Sequence, residues 1–136
     1  MSKIAWAAGF VDGEGCIQIV PHRNSHRLRL QVVSTTHAPL AKLQASFGGY
    51  LNGPYQGKPP RRPYWQWALD DDRAKAALRA MLPHLTVKRA QARLVLRFPT
   101  TGGGQKDLAT GRFVAMSAGL RQQRANLALG LKELRR

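Results

Sequence analysis

The segment Trp6-Ala7-Ala8-Gly9-Phe10-Val11-Asp12-Gly13-Glu14-Gly15 constrains the fold more than any other stretch of the chain. Ser2 can cap a helix running to Asp12, in which the small residues Ala5, Ala8 and Gly9 let a second backbone approach closely. Gly13 is expected to end that helix. Cys16 to Val20 then alternates as a strand, with Ile17 and Ile19 on one face and Gln18 and Val20 on the other. The same segment holds Asp12 and Glu14, the only carboxylates in the first 69 residues. Across the 136 residues, 22 Lys and Arg stand against 7 Asp and Glu, a formal net charge of +15 that suits a polyanionic partner. Two acids isolated in such a surface, among three glycines, are placed to bind a metal ion or activate water, which points to a nuclease.

The length predicts one domain with a modest core. The basic excess favours DNA or RNA over a neutral metabolite, and charge alone does not choose between them. One cysteine, Cys16, excludes an intramolecular disulfide and suits a reducing compartment. No apolar run approaches the roughly 20 residues that cross a bilayer, and two acids in the first fifteen residues are unlike a leader. An intracellular protein without a membrane partner is therefore expected. His22, His26, His37 and His84 lack the cysteines of a zinc array, and Gly102-Gly103-Gly104 lacks the Lys-Ser/Thr end of a phosphate loop.

Pro21 to Ser25 reads as a turn, and His26 to Val33 is the clearest strand, alternating Leu28, Leu30 and Val32 with Arg27, Arg29 and Gln31. Leu40, Leu43 and Phe47 recur at helical spacing until Gly48-Gly49. Strands are expected over Tyr50–Tyr55 and Tyr64–Leu69, joined by a basic, proline-rich loop from Gly57 to Pro63. Asp70-Asp71-Asp72 is expected to cap a helix bearing Ala74, Ala77, Leu78, Met81 and Leu82, and Lys88–Phe98 reads as a helix stopped by Pro99. The order points to an α+β domain with an antiparallel sheet over residues 1–99. Residues 100–136 read as a glycine-rich joint and a helical extension, with Leu108, Phe113, Met116, Leu120, Leu127, Leu131 and Leu134 as its apolar positions.

A magnesium-like ion needs only one or two protein carboxylates beside phosphate oxygens, and Glu14 fits that requirement. Asp12 lies two residues earlier and either shares the site or braces backbone groups. One acidic motif per chain is poor equipment for cutting two strands, so a twofold dimer crossing at Ala5, Ala8 and Gly9 would bring two Glu14 side chains together. The same small residues can instead pack inside one subunit. Arg27, Arg29 and Gln31, extended by Gln18, Val20 and His22 on the neighbouring strand, would form a ribbon fit for the major groove. Arg61 and Arg62 suit backbone phosphates, which would make binding salt-sensitive. Trp65 and Trp67 either stack on single-stranded RNA or pack within the fold. The Lys88 amine would stabilise a phosphorane if the fold sets it beside Glu14.

Ala8-Gly9-Phe10-Val11-Asp12-Gly13-Glu14-Gly15 resembles the signature of the LAGLIDADG homing endonucleases in single-motif form. The resemblance continues through Phe47-Gly48-Gly49 and Leu82-Pro83-His84-Leu85-Thr86-Val87-Lys88-Arg89-Ala90-Gln91-Ala92, spanning about residues 4 to 98. It implies an αββαββα core whose motif helices, with Ala5, Ala8, Gly9 and Asp12, form a homodimer interface and whose saddle-shaped sheet straddles double-stranded DNA. It further implies cleavage of both strands of a long, pseudo-palindromic target across the minor groove, leaving short 3′ overhangs, with magnesium or manganese as cofactor. Glu14 would be the metal ligand, Gly13 would add its carbonyl, and Lys88 would stand near the scissile phosphate. Arg27, Arg29 and Gln31 would fall where the family reads bases, and Gln18, His22, Arg61 and Arg62, placed by the strand and loop reading above, would face the same DNA. The chain departs from the pattern around residues 34 to 39, where the family's water-organising polar residue followed by a basic one is missing; either Ser34 or His37 would partly serve that pocket, or the site would be slower. Family members also include intron maturases, so an RNA-binding, non-cleaving role on the same fold is the alternative.

Overall fold

A computed structural model of the chain describes residues 2–100 and 117–135. The elements are α1 (Lys3–Glu14), β1 (Gly15–His22), β2 (Ser25–Ser34), α2 (His37–Phe47), β3 (Tyr50–Tyr55), β4 (Tyr64–Asp70), α3 (Asp71–Met81), a 3-10 turn (Leu82–His84), α4 (Arg89–Val95) and α5 (Ala118–Leu134). The four strands form one antiparallel sheet in the order β1-β2-β4-β3, giving the expected αββαββα sequence of elements. The glycine-rich joint and the positions Leu108, Phe113 and Met116 lie outside the described residues.

One sheet face is sealed by the helices. Ile17, Leu28, Leu30, Val32, Trp67 and Leu69 project from alternate strand positions into a core shared with Leu40 and Leu43 of α2 and with Leu78 and Met81 of α3. Alternation places Arg27, Arg29 and Gln31 on the opposite face. The turn from α2 into β3 requires glycine, since Gly48 and Gly49 both have positive φ and a Cβ on Gly49 would stand 2.5 Å from the Ala68 carbonyl oxygen. That close approach lets the buried Trp67 indole donate to the Gly48 carbonyl at 2.8 Å.

Several boundaries differ from the sequence reading, each for a tertiary reason. The first helix continues through Gly13 to Glu14, because its end is held from outside by Lys88, whose ammonium donates to the Asp12 carbonyl at 2.6 Å. Pro21 lies within β1 rather than in a turn; β1 is an edge strand, where a missing N–H costs no ladder bond. The three aspartates do not cap α3 through their side chains. Asp70 is the N-cap residue without a side-chain capping bond, Asp71 accepts from the Leu28 amide at 3.2 Å, and Asp72 accepts from the Thr100 hydroxyl. The expected Lys88–Phe98 helix is shorter, α4 ending at Val95, where Arg97 and Phe98 close back onto Leu94 and Val95 in tighter i→i+3 bonds.

The last helix joins the same core through Leu127 and Leu131. Arg124 ties it to the sheet: its Nε donates to the Pro99 carbonyl at 2.9 Å, its Nη1 to the His26 carbonyl at 3.3 Å, and its guanidinium lies 5.1 Å from the Phe98 ring centre. Burial pushes this guanidinium below the usual arginine range, and the nearby Asp71 pulls it back. Arginine remains charged at that site, so both carbonyl contacts are charge-assisted. Arg124→Met, which retains bulk and loses both bonds, is expected to cost about 2 kcal/mol or more, read by urea unfolding.

Candidate functional site

The C-terminal turn of α1 carries two carboxylates at the end of a helix where aligned backbone dipoles already concentrate negative charge. Asp12 is relieved of that conflict. Its Oδ2 accepts the Thr86 amide at 2.7 Å and its Oδ1 the Lys88 amide at 3.0 Å, so the acid braces the turn that leads into α4. Those amides precede or begin a helix and have no helical partner of their own. The same turn returns the Lys88 ammonium to the Asp12 carbonyl, the peptide group adjoining Gly13. Glu14 receives no such relief: it is exposed, and among the described residues no hydrogen bond or ion pair engages its carboxylate. Lys88, Gly13 and Glu14 therefore meet at one helix end, although 74 residues separate Lys88 from Glu14 in sequence and the contact runs through Asp12.

The sheet face away from the helices is open. Register places Gln18 opposite Arg29 and Cys16 opposite Gln31, while Arg29 also lies opposite Asp70 and Gln31 opposite Ala68. His22 follows on β1 with the same parity, opposite Ser25. Two depressions mark this face. One is lined by Arg27, Arg29, Tyr50, Asn52, Gln66 and Asp70, the other by Gln31, Val33, Lys58, Arg61, Arg62 and Tyr64. The expected base-facing residues and the basic loop thus share one surface.

That surface also carries acids, which the sequence reading assigned to a helix cap. Asp70 Oδ1 accepts from Arg29 Nε at 2.9 Å, Asp70 Oδ2 is 3.6 Å from Arg27 Nη1, and Asp71 Oδ2 is 3.4 Å from Arg27 Nε. The last contact has ion-pair separation without hydrogen-bond geometry, since Arg27 Nε is buried and lacks a hydrogen-bond partner. Arg29 is therefore held and Arg27 only loosely so. Side chains about one-third exposed in such pairs contribute no more than about 1 kcal/mol each. Asp70 was legible in principle, because Tyr64, Gln66, Ala68 and Asp70 alternate with Trp65, Trp67 and Leu69 along β4.

The remaining expected positions are distributed differently. Ala8 is fully buried within the subunit beside Ala7 and Val11, which removes it from an intersubunit surface. Asp12 spends both carboxylate oxygens on its own chain. Gly9 and Gly13 are exposed, with open space where a Cβ would stand, and Ala5 is half-buried. Ser34 Oγ accepts from the Thr36 amide at 3.0 Å, and the His37 ring lies edge-on to Trp65 with centroids 5.5 Å apart. Trp67 is completely buried, so it offers no stacking platform for a single-stranded base. Asp12→Asn replaces one of two acceptors with an amide donor facing a backbone N–H. It is expected to destabilise the fold by about 1.5–3 kcal/mol in chemical denaturation, whereas Glu14→Gln, which removes a charge opposed to the helix dipole, should raise stability slightly, by no more than about 1 kcal/mol.

No protein-family model matches the chain. It is 35% identical over 106 residues to DNA endonuclease I-CvuI of Chlorella vulgaris, an alignment covering 70% of this chain and 62% of that relative's length. The fold superimposes on the homing endonuclease I-CvuI in complex with its target in the presence of calcium, with a TM-score of 0.72 and 28% identity over 97% of this chain and 81% of that one. The archaeal intron-encoded homing endonuclease I-Vdi141I, complexed with DNA, shares the fold at a TM-score of 0.71 and 14% identity, covering 97% of this chain and 83% of the other. Motif, element order and relatives agree: the chain resembles the single-motif LAGLIDADG homing endonucleases in signature and fold, its alignment spanning less than two thirds of the I-CvuI sequence.

Proposed function

We propose that this protein is a site-specific DNA endonuclease that hydrolyses both strands of a long duplex target as a homodimer, with a divalent cation at Glu14. The observation that carries the reading is the unrelieved Glu14 carboxylate at the negative end of α1, with the Lys88 ammonium anchored at the same turn. An acid left unpaired at that helix end opposes the helix dipole, and a cationic ligand would offset it.

The donor set fits magnesium or manganese. Glu14 and the Gly13 carbonyl are oxygen donors, whereas Asp12 is already consumed by two amides. When bound, such an ion would activate the attacking water and offset charge on the phosphate. I-CvuI is described with calcium and its own target, and with magnesium and the I-CreI target, that DNA not cleaved. In this chain Glu14 and Gly13 would hold the ion, and Lys88 would neutralise charge building on the scissile phosphate. The open sheet face would lie on the duplex, with Arg61, Arg62 and Lys58 on phosphates and Gln18, His22, Arg27, Arg29 and Gln31 toward base edges. Ser34, at the sheet end from which Glu14 extends, is the remaining candidate to position water.

One Glu14 per subunit serves one strand, and the exposed stripe of Gly9 and Gly13 offers a surface on which a second α1 can cross closely. A Cβ on Gly9 meets nothing within the subunit and the position is exposed, so Gly9→Leu should let the monomer fold while sedimentation equilibrium shifts to monomer and duplex cleavage falls at least tenfold. A dimer that persists with full activity would place the interface elsewhere. Glu14→Gln is expected to abolish magnesium-dependent cleavage, measured on a duplex recovered by selection from a long randomised library, while dimerisation and binding to that duplex remain within about threefold of wild type. Wild-type cleavage by Glu14→Gln at limiting metal would move the catalytic site.

A further inference from the structure

Arg29 is the most tightly held cation on the open sheet face, and the way it is held limits what it can present. Its Nε donates to Asp70 Oδ1 at 2.9 Å, across the β2–β4 register in which the two residues are direct partners. Asp70 is itself largely covered, its side chain 16% exposed against 32% for Arg29. Among the described residues, nothing takes the two terminal nitrogens of Arg29, which lies in a depression with Tyr50, Asn52 and Gln66. A guanidinium anchored through Nε keeps its Nη1 and Nη2 pair as a two-donor fork, and the base edge with two adjacent acceptors in the major groove is that of guanine, O6 and N7.

We infer that Asp70 is a specificity-determining positioning residue, fixing Arg29 so that its terminal fork meets a guanine edge in the duplex while Asp70 itself touches no base. The inference rests on the proposed DNA-cleaving function and names one element of its target. Asp70 has no competing structural duty at α3, which it precedes without a side-chain capping bond. Arg27 supplies the contrast: its ion-pair contacts to Asp70 and Asp71 are 3.6 and 3.4 Å and its buried Nε makes no hydrogen bond, so its direction is set less sharply. Neighbouring arginines on one strand thus differ in how firmly they are aimed.

The test is a selection of bound sites from a randomised duplex library at one salt concentration, without added divalent cation, for the full chain and for Arg29→Ala, Asp70→Ala and Asp70→Asn. Thermal melts and affinity for random-sequence duplex are measured alongside. The base pair read by Arg29 is the one whose preference disappears in Arg29→Ala. Asp70→Ala should reduce the guanine preference at that pair by about tenfold or more, with the other positions unchanged and random-duplex affinity raised by loss of a negative charge. Asp70→Asn keeps an acceptor for Nε but not its charge, and should fall between Asp70→Ala and wild type. Retention of the wild-type preference in both Asp70 variants, folded by their melts, would overturn the inference, as would a loss spread evenly over all positions, which is the signature of bulk charge. A wild-type protein that enriches a site whose profile Arg29→Ala leaves intact would overturn the inference and leave the endonuclease reading standing. A wild-type protein that enriches no duplex sequence would remove both.

Discussion

The arrangement turns on the two amides that Asp12 accepts. A carboxylate in the last turn of a helix opposes the helix dipole, and this one is stabilised only because Thr86 and Lys88 bring backbone donors to it from more than 70 residues away. That brace fixes three things together: the end of α1, the start of α4 and the position of the Lys88 ammonium on the Asp12 carbonyl. The next residues, Gly13 and Glu14, are left as the exposed tip, and β1 begins immediately after them at Gly15. Asp12 takes the bracing role that the sequence left open for it, and Glu14 is left for the proposed ion.

On the sheet, charge is arranged by a similar division. The overall excess of basic residues would produce a nonspecific polyanion binder if every cation were equally mobile. Arg27 and Arg29 are instead paired within the subunit to Asp70 and Asp71, while Lys58, Arg61 and Arg62 lie in the loop between β3 and β4 and line the neighbouring depression. In the proposed complex the loop cations would supply salt-dependent attraction and the paired arginines selectivity. Asp71 contributes by geometry as well as charge, since its positive φ of 48° turns the chain from β4 into α3 while its Oδ1 takes the Leu28 amide at the point where β4 stops.

Local periodicity makes the sheet and helices legible from the residues themselves. Leu28, Leu30 and Val32 alternate cleanly, and Leu40, Leu43 and Phe47 with Gly48-Gly49 mark α2 and its stop, so their placement follows from patterning that no distant contact overrides. Pairing across the chain is what local patterning does not disclose. Asp70 and Asp71 look like caps because the signal for a cap is local, whereas their arginine partners sit 41 to 44 residues earlier in the sequence. Helix length fails in the same way: Gly13 weakens a helix in isolation, and contacts from Thr86 and Lys88 hold the end of α1 beyond it. At the candidate site, the family resemblance supplies Glu14 and Lys88 as a pair, and the fold supplies the means by which they meet.

The small residues of α1 also separate into two purposes once the fold divides the helix. Ala7 and Ala8, with Val11, are buried against the subunit's own core, while Gly9 and Gly13 face outward, four residues apart and on one stripe. A helix that only packed inward would have no use for glycine on its exposed side, where each glycine costs about 0.5–1 kcal/mol of helix stability relative to alanine. The cost is intelligible if a second helix must lie there at glycine-limited distance. In such a twofold crossing, Glu14 follows Gly13 at the same end of each helix, so the closeness that the glycines permit is also what would bring the two acids of the proposed dimer toward the same stretch of duplex.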